Sequence, residues 1–429
     1  MGLTTITALA LSGCAVGGGQ STSAELSEEP VTISLNWWGA DARTQATNEA
    51  VALFEEEYPN VTVETSFADW TGYWDRLATS TAASDMPDVM QFDQLYLASY
   101  ADRGTLLDLS TVTNQLDTSE LPESILQTGQ VGGKQYGLPV GGTPNGVIVN
   151  TAILDEYGIA IPDFDTWTWE DYEAIGKEIS EKSGGAVRGV STVGADSFSL
   201  SVWARQHGEN LYNEDGDVAI SPETIVSAWE KSLELIDSGA APTVEHISET
   251  TGASLDQTDL ALSKIAFAFI PAGQITAYQA AAPDAKFILG NWPTEADTEP
   301  GFQYLKPTQY WVASSKSEHP AEAAALMNFL TSDPDVAKLF GTDRGVPANP
   351  TAQEAIESSL DETGKITLDF TNAMAETVES APPITPNGAS DVENVILRYY
   401  QQVLFGQLDA EAAAEQLIAE VQTSIDAAN

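Results

Sequence analysis

The stretch that most constrains this chain is Tyr136–Asn150, Tyr-Gly-Leu-Pro-Val-Gly-Gly-Thr-Pro-Asn-Gly-Val-Ile-Val-Asn. It reads as two extended pieces, around Gly137–Val140 and Val147–Asn150, joined by residues rich in glycine and proline. An α/β pattern precedes it and another begins after it. Such a segment suits a hinge crossing between two folded halves, with Gly141 and Gly142 as the positions expected to move. By itself it reads equally well as a surface loop between two short strands. The remainder of the chain favours the hinge. At 429 residues, the chain is longer than one core usually supports, so two lobes are expected.

Val31, Ile33, Leu35 and Trp37 alternate with polar neighbours, the period of a strand. Ala46, Ala50, Phe54 and Tyr58 follow at helical spacing and stop at Pro59, after which Val61 and Val63 alternate again. This β-α-β order implies a parallel sheet, with a helix near 74–83 and a third strand over 88–92. Ligands of open α/β sheets sit at the carboxyl ends of the strands. The three ends here carry Trp37-Trp38-Gly39-Ala40-Asp41-Ala42-Arg43, Phe67-Ala68-Asp69-Trp70, and Phe92-Asp93-Gln94. Aromatic faces beside carboxylates, amides and an arginine match a sugar ring, which has an apolar C–H face and a polar rim. Trp37 lies on the buried alternation and is expected in the core. Trp38 and Trp70, beside glycine and polar residues, are expected to be exposed.

Beyond the hinge, Trp167-Thr168-Trp169-Glu170-Asp171-Tyr172 reads as a capping box: Thr168 caps, Asp171 reciprocates, and Trp167 and Tyr172 form a structural staple. Trp203 and Arg205 lie on a helix within 197–207. Ile265–Ile270 is an apolar strand, and Pro271-Ala272-Gly273-Gln274 after it is a second candidate crossing. Further strands are expected at 286–289 and 310–314, a helix at 320–330, and a C-terminal helical pair at 392–403 and 410–425.

Charge and residue counts remove several functions. The 17 Lys and Arg stand against 64 Asp and Glu, a formal net charge of -47 that repels phosphate backbones and makes nucleic acid an unsuitable partner. The three histidines are not at ligand spacing, so no metal is expected. No Gly-x-Ser-x-Gly elbow is present. The single cysteine, Cys14, ends Leu11-Ser12-Gly13-Cys14 after a small, apolar run and precedes a Gly- and Ser-rich tether. This matches a lipobox, so residues 1–30 are expected to be a lipoprotein signal and tether, with Cys14 carrying lipid. Met1–Gly13 holds no Lys or Arg, which leaves the basic leading segment of such a signal unaccounted for. No later run approaches the roughly 18 apolar residues of a transmembrane helix.

In order and spacing, several short segments resemble the family 1 extracellular solute-binding proteins of ABC-type carbohydrate importers. They are Leu53-Phe54-Glu55-Glu56-Glu57-Tyr58-Pro59-Asn60-Val61, Pro87-Asp88-Val89, Tyr136-Gly137-Leu138-Pro139 leading to Val149-Asn150, His319-Pro320-Ala321-Glu322-Ala323-Ala324, and Gly341-Thr342-Asp343-Arg344-Gly345-Val346-Pro347. Trp37-Trp38-Gly39-Ala40-Asp41-Ala42-Arg43 is similar to the pattern of an oligosaccharide-binding branch. The resemblance implies a two-lobed, maltose-binding-protein-like α/β fold that closes on a mono- or oligosaccharide and delivers it to ABC permease subunits, as a monomer without cofactor. The lobes are expected at 31–139 plus 273–330 and at 140–272 plus 331–429. Expected ligand contacts are Trp38, Asp41, Arg43, Trp70 and Asp93 from the first lobe and Trp203 from the second, with Gln274, Tyr310, Trp311 and Arg344 from the returning segments. Two other classes are open on the residues alone. A glycoside hydrolase would place two of Asp41, Asp69 and Asp93 about one bond, and an adhesion lipoprotein would need neither hinge nor aromatic strand ends.

Overall fold

A computed structural model describes residues 25–39, 41–295, 298 and 301–428; Cys14 and its tether lie outside the described residues. The first strand, β1 (Val31–Trp38), buries Val31, Ile33, Leu35 and Trp37 on one face as the alternation requires. Helix α1 (Asp41–Glu57) stops before Pro59 and leads into β2 (Val61–Ala68). Asp69 caps α2 (Trp70–Ala82), its carboxylate accepting from the Gly72 amide at 2.9 Å. After β3 (Val89–Phe92), Asp93 caps α3 (Gln94–Asp102) in the same way, accepting from the Leu95 amide at 2.9 Å.

β1 and β2 are parallel and paired residue for residue, from Val31 with Val61 to Trp38 with Ala68. β3 pairs on the other side of β1, with Asn36 opposite Met90. Extending that register sets Trp38 level with Phe92. The three strand ends therefore share one edge, and Trp38, Trp70 and Asp93 are neighbours there.

Two long strands join this unit to the rest of the chain. Leu138–Asn150 is a single, wholly buried strand rather than two pieces around a loop. Its first half pairs with Leu305–Ala313 and with Val346–Pro347, its second with Ile265–Pro271 and Phe287–Gly290. Gly141 is demanded by packing, because a Cβ there would meet the Val346 and Arg344 carbonyl oxygens at 2.6 and 2.8 Å. Both glycines lie inside this ladder.

Two large buried clusters show where each half has its core. The first contains Ile33, Phe54, Val89, Val140, Leu305, Trp311 and Met327, and the second Val147, Ile179, Val202, Trp229, Phe267 and Leu417. The chain thus passes from one core to the other between Val140 and Val147, and returns between Tyr304 and Leu305. The expected lobe boundaries differ from this packing. Ile275, Tyr278 and Phe287 are buried with Ile148 and Ile265, so the segment from 273 stays with the second lobe and Pro271–Gln274 is not a crossing. Val336, Phe340 and Ala348 are buried with Phe54 and Leu326, so 331–348 stays with the first. Helix Glu362–Thr377 spans the boundary, Ile366 packing on second-lobe residues and Met374 lying in the first core.

The helix starts follow the sequence reading closely. Thr168 and Asp171 form the capping box, with the Trp167 and Tyr172 rings 5.6 Å apart. The C-terminal pair is Val392–Leu404 and Ala410–Ala428.

Candidate functional site

A cavity of about 350 Å³ opens at the shared strand edge, between the lobes. The first lobe lines it with Trp38, Arg43, Trp70, Asp93, Asp343 and Arg344, and the second with Pro271, Gly273, Gln274 and Thr276. The crossing strands contribute Thr143, Thr308 and Gln309, and the bridging helix Gly364 and Thr367.

Trp38 and Trp70 form the apolar wall. Their rings meet edge to face at 5.0 Å, and Trp38 leans on Tyr73 at 5.4 Å and Trp74 at 5.8 Å. Trp74 is buried beneath them and lies 3.9 Å from Tyr96. Trp70 is 40% exposed, unusual for a tryptophan. A fixed aromatic surface left open to a cavity offers stacking area with little ordering cost on binding.

Polar groups surround that wall. Asp93 spends one carboxylate oxygen on its helix cap, and burial holds its pKa above the ordinary aspartate value, the cap and Lys306 partly opposing. Arg43 is held by Asp343: Nε donates to Oδ2 at 2.7 Å and Nη2 to the backbone oxygen at 3.0 Å, while Nη1 reaches the Trp38 carbonyl at 3.2 Å. This pairing fixes the guanidinium and neutralises it locally. Arg344 is only 3% exposed; its Nη2 donates to Thr47 Oγ1 at 2.8 Å, and the guanidinium lies 4.3 Å from the Phe340 ring. Its Nε and Nη1 make no hydrogen bond among the described residues, though Nη1 lies 3.8 Å from Asp343 Oδ2. Burial first, and the Arg43 charge second, lower its pKa, with Asp343 opposing.

Of the expected contacts, Trp38, Arg43, Trp70, Asp93, Gln274 and Arg344 line this cavity. Asp41 is exposed in the first turn of α1 and does not line it. Three aromatics are corrected outright. Trp203 is 1% exposed on helix Ser197–Gln206, its indole donating to Ser227 Oγ at 2.9 Å and packing 5.0 Å from Trp169. Tyr310 and Trp311 are fully buried on the crossing strand, Tyr310 donating to the Thr128 carbonyl at 2.7 Å. Consecutive residues point to opposite faces of a strand, and here both faces are covered: Tyr310 faces the α2–α3 cluster and Trp311 the cluster of α1 and Pro320–Ser332. Thr143, Thr276, Thr308, Gln309 and Thr367 were missed. Thr143, Thr308 and Gln309 come to the site through the crossing strands, Thr367 through the bridging helix and Thr276 through helix Ile275–Ala281 of the second lobe, and no local pattern marks a lone threonine or glutamine.

Among the described residues no cluster fit to hold a metal is present, and no helix is long and apolar enough to cross a membrane. The model of the bacterial extracellular solute-binding protein family matches residues 49–365. The chain is 28% identical over 175 residues to a Streptomyces antibioticus lipoprotein encoded 5′ of oleD, covering 40% of this chain and 37% of that protein. It is 27% identical over 207 residues to the melibiose/raffinose/stachyose-binding protein MelE of Bacillus subtilis, covering 48% and 46%. The chain thus spans less than half the length of these two relatives. Its fold is that of a periplasmic oligogalacturonide-binding protein from Yersinia enterocolitica, with TM-score 0.80, 23% identity, and coverage of 92% of this chain and 99% of that one. With the sheet edge, the two crossings and the interlobe cavity in place, the chain belongs to the family of bacterial extracellular solute-binding proteins.

Proposed function

We propose that this chain captures a neutral oligosaccharide between its lobes and delivers it to an ABC importer, as a monomer tethered to the outer face of the membrane through Cys14. The observation that carries the reading is the Trp38–Trp70 wall, open to a cavity whose opposite side is Gln274 and Thr276 of the other lobe. A sugar there would stack on one lobe and hydrogen-bond to both, so the closed arrangement gains contacts the open one lacks. MelE, named for melibiose, raffinose and stachyose, agrees with a saccharide ligand.

The neutral preference follows from the charges. Arg43 already donates to a carboxylate oxygen and to the backbone oxygen of Asp343, and the Arg344 Nε and Nη1, which make no hydrogen bond among the described residues, are buried, with Nη1 also near Asp343. A uronate would meet Asp93 and Asp343, while Arg43 is already engaged and Lys306, the cation acting on Asp93, does not line the cavity. A hydrolase is disfavoured because Asp69 and Asp93 are engaged as helix caps and Asp41 stands outside the cavity. Fold does not fix activity, and the caps carry this argument.

Thermal-shift and calorimetric screening of residues 25–429 against neutral and uronic oligosaccharides tests the reading. A neutral saccharide should raise the melting temperature and remain intact on incubation. Binding restricted to galacturonides, or cleavage of the saccharide, would overturn it. Small-angle scattering should show compaction at saturating ligand, and identical profiles would remove closure from the mechanism.

A further inference from the structure

A cavity of about 300 Å³ stands apart from the aromatic site and has no lining residue in common with it. One element reaches both. Gly364 and Thr367, near the start of helix Glu362–Thr377, line the aromatic cavity, and Ala373, Met374 and Thr377, at its end, line this one. The second lobe supplies the facing wall with Phe164, Trp292, Phe302 and Gln303. The volume is at the lower end of the range for small-molecule sites.

The walls are held in place. The Phe164 ring lies so close on the Gly290 backbone that a Cβ there would meet it at 2.5 Å. Trp292 stacks on Phe269 with ring centroids 4.0 Å apart. Arg205 donates to the Phe302 carbonyl at 2.7 Å and so fixes the segment that carries Gln303. Asp165, the one charged residue among the described residues lining the cavity, is exposed and accepts from Asn291 Nδ2 at 3.1 Å.

The polar groups behind these walls lack partners. Gln303 is 4% exposed, and neither its Oε1 nor its Nε2 makes a hydrogen bond among the described residues. Trp292 is 1% exposed, and its Nε1 is likewise unbonded. Its second-lobe counterparts Trp167, Trp169, Trp203 and Trp229 all donate an indole hydrogen bond. Buried polar atoms are nearly always paired, because an unpaired one bears its full desolvation cost. Two donor nitrogens and an acceptor oxygen on residues of one cavity are what a bound molecule would complete. The last torsion of a glutamine is soft, so the Gln303 amide can turn its edge toward an occupant.

We infer that this cavity is a second small-molecule site, which takes a compact, neutral ring carrying an N–H beside a carbonyl: a cyclic amide of the pyridone or pyrimidine type. The Gln303 amide presents an N–H and a carbonyl side by side, and that edge pairs with the same two groups on a ring. Phe164, Phe302 and Met374 suit its flat apolar faces. Among the described residues no cation lines the cavity to hold an anion, and its one carboxylate is exposed and already engaged. The site stands or falls apart from the saccharide, because the two cavities share no lining residue.

Ligand-observed NMR and calorimetry on the purified chain, with uracil, 2-pyridone and the N-methyl derivative of that pyridone, test this. Uracil and the pyridone should bind. The N-methyl derivative keeps the ring and the carbonyl but loses the N–H, and should bind about tenfold more weakly, the effect of one hydrogen bond lost in a dry site. Gln303→Met, similar in length and without polar hydrogens, should abolish that difference. It should also raise the melting temperature of the free protein, since two unbonded polar atoms are removed. Ala373→Trp, at an exposed position on the cavity rim, should block both probes, while Trp70→Ala should leave their binding unchanged. No binding of uracil or the pyridone at millimolar concentration, or equal binding of the two pyridones, overturns the site. So does discrimination that survives Gln303→Met, or binding that survives Ala373→Trp. A lowered melting temperature in Gln303→Met would show the amide to be bonded in the free protein and would count against the site. Binding lost in Trp70→Ala would move the probes to the aromatic cavity and overturn it as well.

Discussion

Each lobe of the molecule has an aromatic cluster of similar size, and only one of them is open. In the first, Trp38, Trp70, Trp74, Tyr73 and Tyr96 lie with neighbouring rings 3.9–6.2 Å apart. In the second, Trp169, Trp203, Trp292, Tyr172 and Phe269 pack with adjacent rings 4.0–6.1 Å apart. Ring geometry does not distinguish them. Their place in the fold does: the first cluster sits where parallel strands end and α2 begins, so Trp70 keeps 40% of its surface, whereas Trp169, Trp203 and Trp292 are each 2% exposed or less. Helix Ser197–Gln206 is buried almost throughout, as expected of a helix enclosed on all sides. An aromatic group becomes a binding surface only when the elements around it stop.

That comparison can be broken by truncating one ring from each cluster. The largest effect should come from Trp203→Ala, which removes a fully buried indole and its bond to Ser227 and should cost about 3–5 kcal/mol of stability. Chemical denaturation measures it, and saccharide affinity of the surviving folded fraction should be unchanged. A stable Trp203→Ala protein that fails to bind would return Trp203 to the ligand site.

Next in size, Trp70→Ala should weaken saccharide binding by about 1–3 kcal/mol through lost stacking area, with little loss of stability. Calorimetry and denaturation on the same variant separate the two readouts. Loss of stability without loss of affinity would show the open cluster to be core as well.

The contrast also explains what the amino-acid sequence makes legible. The alternation of Val31, Ile33, Leu35 and Trp37 and the break at Pro59 are local, so the β-α-β unit and its shared strand edge could be read directly. Trp38, Trp70 and Asp93 follow from that edge. Tyr310 and Trp311 read as ligand contacts, since their burial depends on both faces of the strand being covered, and α1, α2 and α3, which do much of the covering, are distant in sequence. The return crossing at Tyr304–Leu305 was misplaced to 273 because Ile265–Pro271 and Leu305–Ala313 are similar apolar strands, and only their partners tell them apart. Gly141 signals freedom in the sequence, whereas in the fold it permits the close approach of Val346.

A smaller effect concerns the acid beside the open cluster. Burial raises the Asp93 pKa, so the fold favours its protonated form: the stability this group contributes is present at low pH and is lost as pH rises through the ordinary aspartate pKa toward the raised one. Ligand binding should run the other way, because the ionised carboxylate is the better acceptor for a sugar hydroxyl. Affinity should fall about fivefold, the equivalent of one net hydrogen bond, as pH drops through the raised value. Asp93→Asn should flatten that acid limb without loss of stability at neutral pH. A limb that persists in Asp93→Asn would assign it to another group.

The most direct test of the account is a crystal structure of residues 25–429 with a bound neutral oligosaccharide. It should place the face of one sugar ring in van der Waals contact with the indole of Trp38 or Trp70, with hydroxyls on Asp93 and on Gln274 from the opposite lobe. A saccharide bound with its rings against neither indole, or held by one lobe alone, would contradict it.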